Sequence, residues 1–316
     1  MKVFVSRPLP REVIERLEAR FEVTQRPSTR PMDDAQMVAA LSEHDVILAT
    51  LGDQFGAAVF SLAEPLRCQM IANFGVGYNH IDVDAAAAYE IVVSNTPGTV
   101  TEATADIALT LMLMTARRAG EGERMLRANR WEGWHPTQML GLHLSGKTLG
   151  IIGMGRIGQA IARRAHFGFG MDVVYHNRSP KYAGMPAVQL AGPAEVAARA
   201  DVVVAAVPGG AQTHHLINAE VFDAMQDHAI FVNISRGDVV DEAALIAALE
   251  AGKIAGAGLD VYEFEPAVPR ALLKMENVTL LPHLGTAALE VRVAMGMMAA
   301  DNIEAFADGT PPPNAV

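Results

Sequence analysis

The stretch 148–160 constrains the fold more than any other part of the chain. A short apolar run leads into a glycine-rich turn, and a helical pattern follows it. Three glycines with the spacing G-x-G-x-x-G form the turn, namely Gly153, Gly155 and Gly158. Strand, tight turn and helix in this order are the layout of a dinucleotide site, in which phosphates meet the N–H groups at the start of the helix. We therefore predict a dinucleotide-binding domain around this turn.

Short β-rich runs alternate with helical patterns on both sides of this turn, as is typical of βαβ units and parallel sheets. The runs lie at 3–6, 21–24, 46–50, 70–74 and 91–94, and again at 172–176, 201–207, 230–234, 257–261 and 278–281. The pattern predicts an α/β protein with two doubly wound parallel-sheet domains. The first hundred residues or so would form one of them, and the other would bind the dinucleotide.

Between the two series lie a long helical pattern and a less regular arm. Thr99-Val100-Thr101-Glu102 has the form of a capping box, which predicts a helix from there to about residue 118. Residues 119–146 lack clear periodicity and contain Trp131 and Trp134. Tryptophan in such an arm is expected to pack either within the chain or against a partner subunit. A homodimer is our first expectation.

Composition limits the partners and the compartment. The formal net charge of −11 argues against nucleic acid and anionic membrane surfaces as partners. The single cysteine, Cys68, forms no intrachain disulfide and suits a reducing compartment. No signal-peptide pattern and no long apolar run are apparent, so we expect a cytoplasmic protein without a membrane span.

The residues after the second strand of the inserted domain bear on the choice of cofactor. An acidic residue about 20 positions past the glycines commonly binds the ribose hydroxyls of NAD, whereas an arginine accommodates the 2′-phosphate of NADP. Asn177, Arg178 and Ser179 occupy that place, and no acid is present. The predicted cofactor is NADP(H), with NAD(H) as the alternative if Arg178 is only a solvated loop residue.

Three other strand ends carry polar residues that local structure does not require. They are the segments 233–238, 259–266 and 281–286, which contain Arg236, Glu265 and His283. The carboxyl ends of strands form the ligand-binding edge of a doubly wound sheet, so these three side chains are expected to converge there.

The chain resembles the D-2-hydroxyacid dehydrogenases over nearly its whole length, and more narrowly their glyoxylate and hydroxypyruvate reductases. The resemblance is carried in order by Gly153–Gly158, Ser235-Arg236-Gly237, Asp260 with Glu265-Pro266, and Pro282-His283-Leu284-Gly285. It implies a Rossmann cofactor domain, residues 99–286, inserted in a flavodoxin-like substrate domain, residues 1–98 with 287–316. It also implies that Arg236 binds the substrate carboxylate, that His283 is the acid and base, and that Glu265 orients its imidazole.

The resemblance implies further contacts. The substrate residues would be Leu51, Val76, Gly77 and Arg236. The cofactor residues would be Val76, Gly153, Gly155, Arg156, Ile157, Gly158, Asn177, Arg178, Ser179, Val207, Pro208, Ile234, Ser235, Asp260, His283 and Gly285. Asp260 would orient the carboxamide of the nicotinamide.

The predicted function is therefore NADPH-dependent reduction of glyoxylate and hydroxypyruvate to D-2-hydroxyacids. A larger 2-oxoacid such as phenylpyruvate is one alternative, and a non-catalytic, dinucleotide-sensing protein like the corepressors of this fold is another. No metal is predicted, because His214-His215 has no evident third ligand and is interpreted as a surface pair, and His80 also lacks a ligand set.

Overall fold

The computed structural model describes every residue from 1 to 316. The chain forms two compact units, Met1–Val100 with Ala287–Val316, and Thr101–Thr286. The second unit is thus inserted in the sequence of the first. Its first residue is 101, whereas the predicted boundary placed it at 99.

Strands and helices alternate in both units. The strands are β1 (Lys2–Val5), β2 (Glu22–Gln25), β3 (Val46–Thr50), β4 (Met70–Phe74), β5 (Val92–Ser94), β6 (Thr148–Ile152), β7 (Asp172–His176), β8 (Val188–Gln189), β9 (Val202–Ala205), β10 (Ile230–Asn233), β11 (Gly256–Leu259) and β12 (Val278–Leu280). The helices are α1 (Arg11–Glu18), α2 (Asp34–Glu43), α3 (Ala57–Leu62), α4 (Val83–Ala88), α5 (Thr101–Ala116), α6 (Ala119–Arg127), α7 (Arg156–Phe169), α8 (Pro193–Arg199), α9 (Ala219–Ala224), α10 (Glu242–Glu250), α11 (Arg270–Lys274) and α12 (Leu289–Ala307). A short 3₁₀ turn spans Gly237–Val239.

The first unit is built on a five-stranded sheet in the order β2-β1-β3-β4-β5. All neighbouring strands are parallel. This is the strand order of flavodoxin-like folds. Every residue of β3 and β4 is buried, because the central strands of a parallel sheet are covered on both faces. The first unit therefore has the topology expected from the sequence.

The C-terminal helix α12 belongs to the first unit and packs on α1. Arg16 of α1 donates to Glu304 at 2.9 and 2.8 Å and to Asp301 at 2.7 Å. A Cβ at Gly296 of α12 would overlap the side chain of Val13, so a glycine is needed for this close approach. The last segment of the chain is thereby fixed to the first.

The second unit contains a seven-stranded parallel sheet in the order β12-β11-β10-β9-β6-β7-β8. When the strands are numbered from β6 as strand 1 and the sheet is followed from β8 toward β12, the order begins 3-2-1-4-5-6. This is the strand order of the Rossmann fold. The predicted class, an α/β protein with two doubly wound parallel sheets, is confirmed. The order reverses at β6, and the glycine turn lies directly after that strand.

The connection between the two series differs from its prediction. Residues 119–127 form helix α6, which the sequence did not predict and none of whose residues is buried. Trp131 and Trp134 are 52% and 79% exposed in the single chain, so packing within the chain is not observed, and packing against a partner subunit stays a prediction. The capping box is wrong, because α5 starts at Thr101 and the buried Thr99 hydroxyl has no hydrogen-bond partner. No helix combines the length and apolar composition needed to span a bilayer.

Candidate active site

The glycine turn of the second unit has little room for any other residue. Gly153 has a φ of +105°, and a Cβ there would lie 2.5 Å from the carbonyl oxygen of Ala206. A Cβ at Gly158 would overlap the carbonyl oxygen of Gly153. Around Gly155, by contrast, no atom lies within 4 Å of the Cβ position. Two glycines thus fix the turn, and the third leaves the backbone open to a ligand.

Helix α7 begins at this open position. Its N-cap is Gly155, and no side chain caps it. Arg156 is exposed and Ile157 is half-buried in the first turn. An uncapped helix start presents backbone N–H groups and the positive end of the helix dipole, which together suit a phosphate. The residues present therefore fit the pyrophosphate of a dinucleotide.

The loop after β7 contains the residues predicted to select the cofactor. Asn177 Oδ1 accepts the N–H of Met154 at 3.1 Å, and its Nδ2 donates to the carbonyl of Ser179 at 2.8 Å. The Asn177 amide is therefore used to brace the glycine turn, which the sequence did not predict. Arg178 and Ser179 are exposed, and Arg178 Nη1 donates to Gln212 Oε1 at 3.0 Å.

Val207 and Pro208 follow β9 at the same sheet edge. A Cβ on Gly153 would come within 2.7 Å of Val207 Cγ1, so Val207 borders the glycine turn. Pro208 is exposed, and its carbonyl accepts the Thr213 hydroxyl at 2.7 Å. Both residues thus lie beside the turn, where the sequence expected cofactor contacts.

The segment after β10 is organised by a buried asparagine. Asn233 Oδ1 accepts the backbone N–H of Ser235 at 3.0 Å and its hydroxyl at 2.7 Å, and Nδ2 donates to the carbonyl of Arg236 at 3.0 Å. Ile234 is also buried. Asn233 was not predicted as a site residue, although its place at a strand end was a usable signal.

Arg236 carries a buried positive charge. Burial lowers the pKa of Arg236, while the negative charges of Glu265 and Asp238 act in the opposite direction. Arginine nevertheless stays protonated in proteins. Its Nη1 donates to the carbonyl of Ser235 at 2.7 Å. A planar cation at this sheet edge is suited to bidentate binding of a carboxylate.

The Arg236 segment and the segment after β11 are in direct backbone contact. A Cβ at Gly237 would overlap the carbonyl of Tyr262, so only a glycine fits there. Tyr262 in turn donates its backbone N–H to Glu265 Oε1 at 3.1 Å. The positions of Arg236 and Glu265 are thus set by one continuous set of contacts.

Asp260 joins the ends of β11 and β12. Its carboxylate accepts the N–H groups of Leu284 at 2.6 Å and Gly285 at 2.8 Å, and its carbonyl accepts the N–H of His283 at 2.9 Å. Burial raises the pKa of Asp260, despite these donors and the charge of His283. Each carboxylate oxygen retains a lone pair for a ligand, so the predicted carboxamide contact stays a prediction.

His283 and Glu265 form a hydrogen-bonded pair. His283 Nδ1 lies 2.9 Å from Glu265 Oε2, and the backbone of His283 is left-handed with φ of +55°. Burial by itself raises the pKa of Glu265, but the hydrogen bond and charge of His283, the Tyr262 N–H and the charge of Arg236 outweigh it and lower that pKa. With Nδ1 engaged, Nε2 is the nitrogen that can exchange a proton with a substrate.

In the first unit, the loop after β4 has the form of an anion nest. Asn73 Nδ2 donates to the carbonyls of Gly75 and Gly77 at 2.9 and 3.0 Å, and Asn95 Nδ2 donates to the carbonyl of Val76 at 2.9 Å. These carbonyls are thereby turned toward protein donors. The N–H groups of Val76 and Gly77 form no hydrogen bond within the chain, as an anion-binding loop requires.

Leu51 lies in a turn that an unpredicted ion pair holds. Arg7 Nη1 donates to the carbonyl of Leu51 at 2.5 Å, and Arg7 Nη2 lies 3.0 Å from Asp53 Oδ1. Asp53 is fully buried and also accepts the N–H of Met32 at 2.9 Å. The position of Arg7 directly after β1 was the available signal.

The chain is similar to known proteins in both sequence and fold. Residues 109–285 match the family described as D-isomer specific 2-hydroxyacid dehydrogenase, NAD binding domain. A glyoxylate reductase of Thermococcus kodakarensis is 42% identical, with 100% of this chain and 96% of the relative covered.

Two solved structures are similar over the whole chain. The TT0316 protein of Thermus thermophilus has a TM-score of 0.92 at 41% identity, with both chains covered completely. The NADPH-dependent glyoxylate/hydroxypyruvate reductase of Sinorhizobium meliloti, in complex with NADP and malonate, has a TM-score of 0.88 at 38% identity, with 100% and 96% covered. The chain belongs to the D-isomer specific 2-hydroxyacid dehydrogenase family. Among these relatives it is glyoxylate reductase-like.

Proposed function

We propose that the protein catalyses NADPH-dependent reduction of small 2-oxoacids, with glyoxylate and hydroxypyruvate as the favoured substrates, to D-2-hydroxyacids. The observation that carries the proposal is the His283–Glu265 hydrogen bond of 2.9 Å, with the charge of Arg236 acting on the same carboxylate. Reduction of a 2-oxoacid requires a general acid, a group that orients this acid, and a cation that binds the substrate carboxylate.

Each of the three side chains has a distinct task in this proposal. Arg236 binds the substrate carboxylate and orients the adjacent carbonyl. A nicotinamide dinucleotide held at the glycine turn and the start of α7 would supply the hydride for this reduction. His283 holds a proton at Nε2 and donates it to the carbonyl oxygen, and in the reverse direction it accepts that proton. Glu265 fixes the imidazole orientation and stabilises its charged form through Nδ1.

The decisive experiment follows NADPH oxidation with glyoxylate, hydroxypyruvate, pyruvate and phenylpyruvate as separate substrates. We expect the highest kcat/KM with glyoxylate or hydroxypyruvate. A higher kcat/KM with phenylpyruvate would replace the small substrate with a larger 2-oxoacid. NADPH binding without turnover of any of the four would favour the dinucleotide-sensing alternative.

NADP(H) is proposed over NAD(H) because of the loop after β7. Arg178 is exposed there with Ser179 beside it, and no acid is present to repel a 2′-phosphate. The Sinorhizobium meliloti relative, which is NADPH-dependent and was solved with NADP, supports the same choice.

Arg178→Asp is expected to lower kcat/KM for NADPH by about 10- to 100-fold and to leave kcat/KM for NADH nearly unchanged. The reason is the loss of charge-assisted hydrogen bonds, each contributing about 1.5–3 kcal/mol, and the gain of a repelling charge. Lys181→Asp is the matched control, because it makes the same charge change at an exposed residue of the same loop. An unchanged ratio of NADPH to NADH activity in Arg178→Asp would refute the assignment.

Several other contacts stay proposals. Leu51, Val76 and Gly77 are proposed to contact the substrate, and Val76 also the cofactor. The other cofactor contacts are proposed for the second-unit residues named in the sequence analysis as cofactor residues. The homodimer and the cytoplasmic location are likewise predictions.

A further inference from the structure

A cluster of potential metal ligands lies outside the proposed catalytic groups. The ligand atoms of His214, His215 and Glu263 are all within 4.8 Å of one another. His215 Nε2 is 2.9 Å from Glu263 Oε1, and the rings of the two histidines stack with centroids 3.9 Å apart. The sequence predicted an isolated surface pair and no metal. That prediction missed the third potential ligand, Glu263, because it lies 48 residues from His215 in the sequence.

Backbone contacts hold the three residues in place. His215 has a left-handed φ of +50°, and its N–H donates to the carbonyl of Asp238 at 2.9 Å. Glu263 donates its N–H to Glu242 Oε1 at 3.3 Å. The two segments that supply the ligands are therefore anchored independently of any ion.

The ligand types match a borderline divalent cation. Zinc binds imidazole nitrogen and carboxylate oxygen at about 2.0–2.2 Å, so its ligand atoms lie about 3.3 Å apart in a tetrahedral site. The ligand atoms lie within 4.8 Å of one another, so their side chains must rotate toward a common point for an ion to bind. Mg²⁺ and Ca²⁺ prefer all-oxygen sites and do not suit two imidazoles. Two histidines and one glutamate also leave a fourth position for water.

We propose that His214, His215 and Glu263 bind one Zn²⁺ ion per chain, with water as the fourth ligand. The ion takes the place of the hydrogen between His215 Nε2 and Glu263 Oε1, and the neutral imidazole then carries its single proton on Nδ1. A bound ion links the segment after β9 to the segment after β11. Its ligand Glu263 lies two residues before Glu265, and neither member of the His283–Glu265 pair binds the ion.

Isothermal titration of the metal-free, full-length protein with ZnCl₂ tests the site. We expect one ion per chain in the wild type. Loss of a direct ligand should cost more than the roughly 10- to 100-fold of a supporting contact, so affinity should fall by more than about 100-fold in His215→Asn and Glu263→Gln. His214→Asn, at an exposed residue that is safe for the fold, should show the same loss.

Two control variants separate this site from other histidine–carboxylate pairs. His228 lies 2.6 Å from Asp201 Oδ1, and His283 lies 2.9 Å from Glu265 Oε2. His228→Asn and His283→Asn should both keep the zinc affinity of the wild type. Zinc binding that survives His214→Asn and His215→Asn, or that is lost in either control, would overturn the proposal.

Cobalt provides a readout of coordination geometry that does not depend on activity. Co²⁺ in the four-coordinate site should give intense visible d–d absorption, which should be absent in His215→Asn. Mg²⁺ at equal concentration should not displace it. Weak octahedral absorption, or displacement by Mg²⁺, would indicate attraction to a negative surface only and would contradict the proposal.

Discussion

His283→Asn is expected to lower kcat for 2-oxoacid reduction by about 100- to 10,000-fold, the usual contribution of a positioned acid or base. Asparagine retains a polar side chain of similar reach but cannot transfer a proton. NADPH affinity, measured by the change in its fluorescence, should be retained because the glycine turn is untouched. A kcat within a few-fold of the wild type would remove His283 from the proposed mechanism.

Glu265→Gln is the matched variant for the same pair. Glutamine can still bond to His283 Nδ1 but has no charge to stabilise the imidazolium. The loss of one charge-assisted hydrogen bond, about 1.5–3 kcal/mol, corresponds to a decrease of about 10- to 100-fold in kcat. A kcat within a few-fold of the wild type would show that Glu265 has only a structural role.

Arg236→Gln is expected to lower kcat/KM for the oxoacid by about 200- to 5,000-fold. Removing one partner from a buried charge pair typically costs about 3–5 kcal/mol. The substrate carboxylate is bound before and during the reaction, so KM should rise more than kcat falls. Steady-state kinetics with glyoxylate and a saturating cofactor measure both terms.

Arg236→Lys separates charge from geometry. Lysine keeps the positive charge but not the planar fork, so it should recover part of the lost kcat/KM. Thermal unfolding of both variants checks that the segment after β10 remains folded. A KM equal to the wild-type value in Arg236→Gln would exclude Arg236 as the carboxylate ligand.

The sequence predicted the two sheets well because their central strands are buried on both faces. β3, β4 and β7 have the predicted bounds, since contiguous apolar runs end sharply at polar or glycine residues. The elements that bury few side chains were not predicted, because they lack such apolar runs. Both residues of β8 are exposed and no residue of α6 is buried, so neither element contains the continuous apolar run that marks a central strand.

The site was predictable in part because its residues follow strands in the sequence. Arg236, Glu265 and His283 each come after a strand of the second sheet, and parallel order places such ends at one edge. Contacts between distant segments could not be found that way. Arg7 meets Asp53, and His215 meets Glu263, only after the chain has folded. Asn177 was predicted among the cofactor residues, but the bonds of its amide to the turn and loop backbone were not predicted.

The close contact of Gly237 with the Tyr262 carbonyl has a consequence for the engineering of this protein. Because no side chain fits between these backbones, the segments that carry Arg236 and Glu265 cannot be redesigned one at a time. Variants mutated in only one of the two segments are expected to displace the other segment. Changes in substrate range are better sought at exposed residues such as Val76, which is 37% exposed, whose side chain can vary without disturbing that contact.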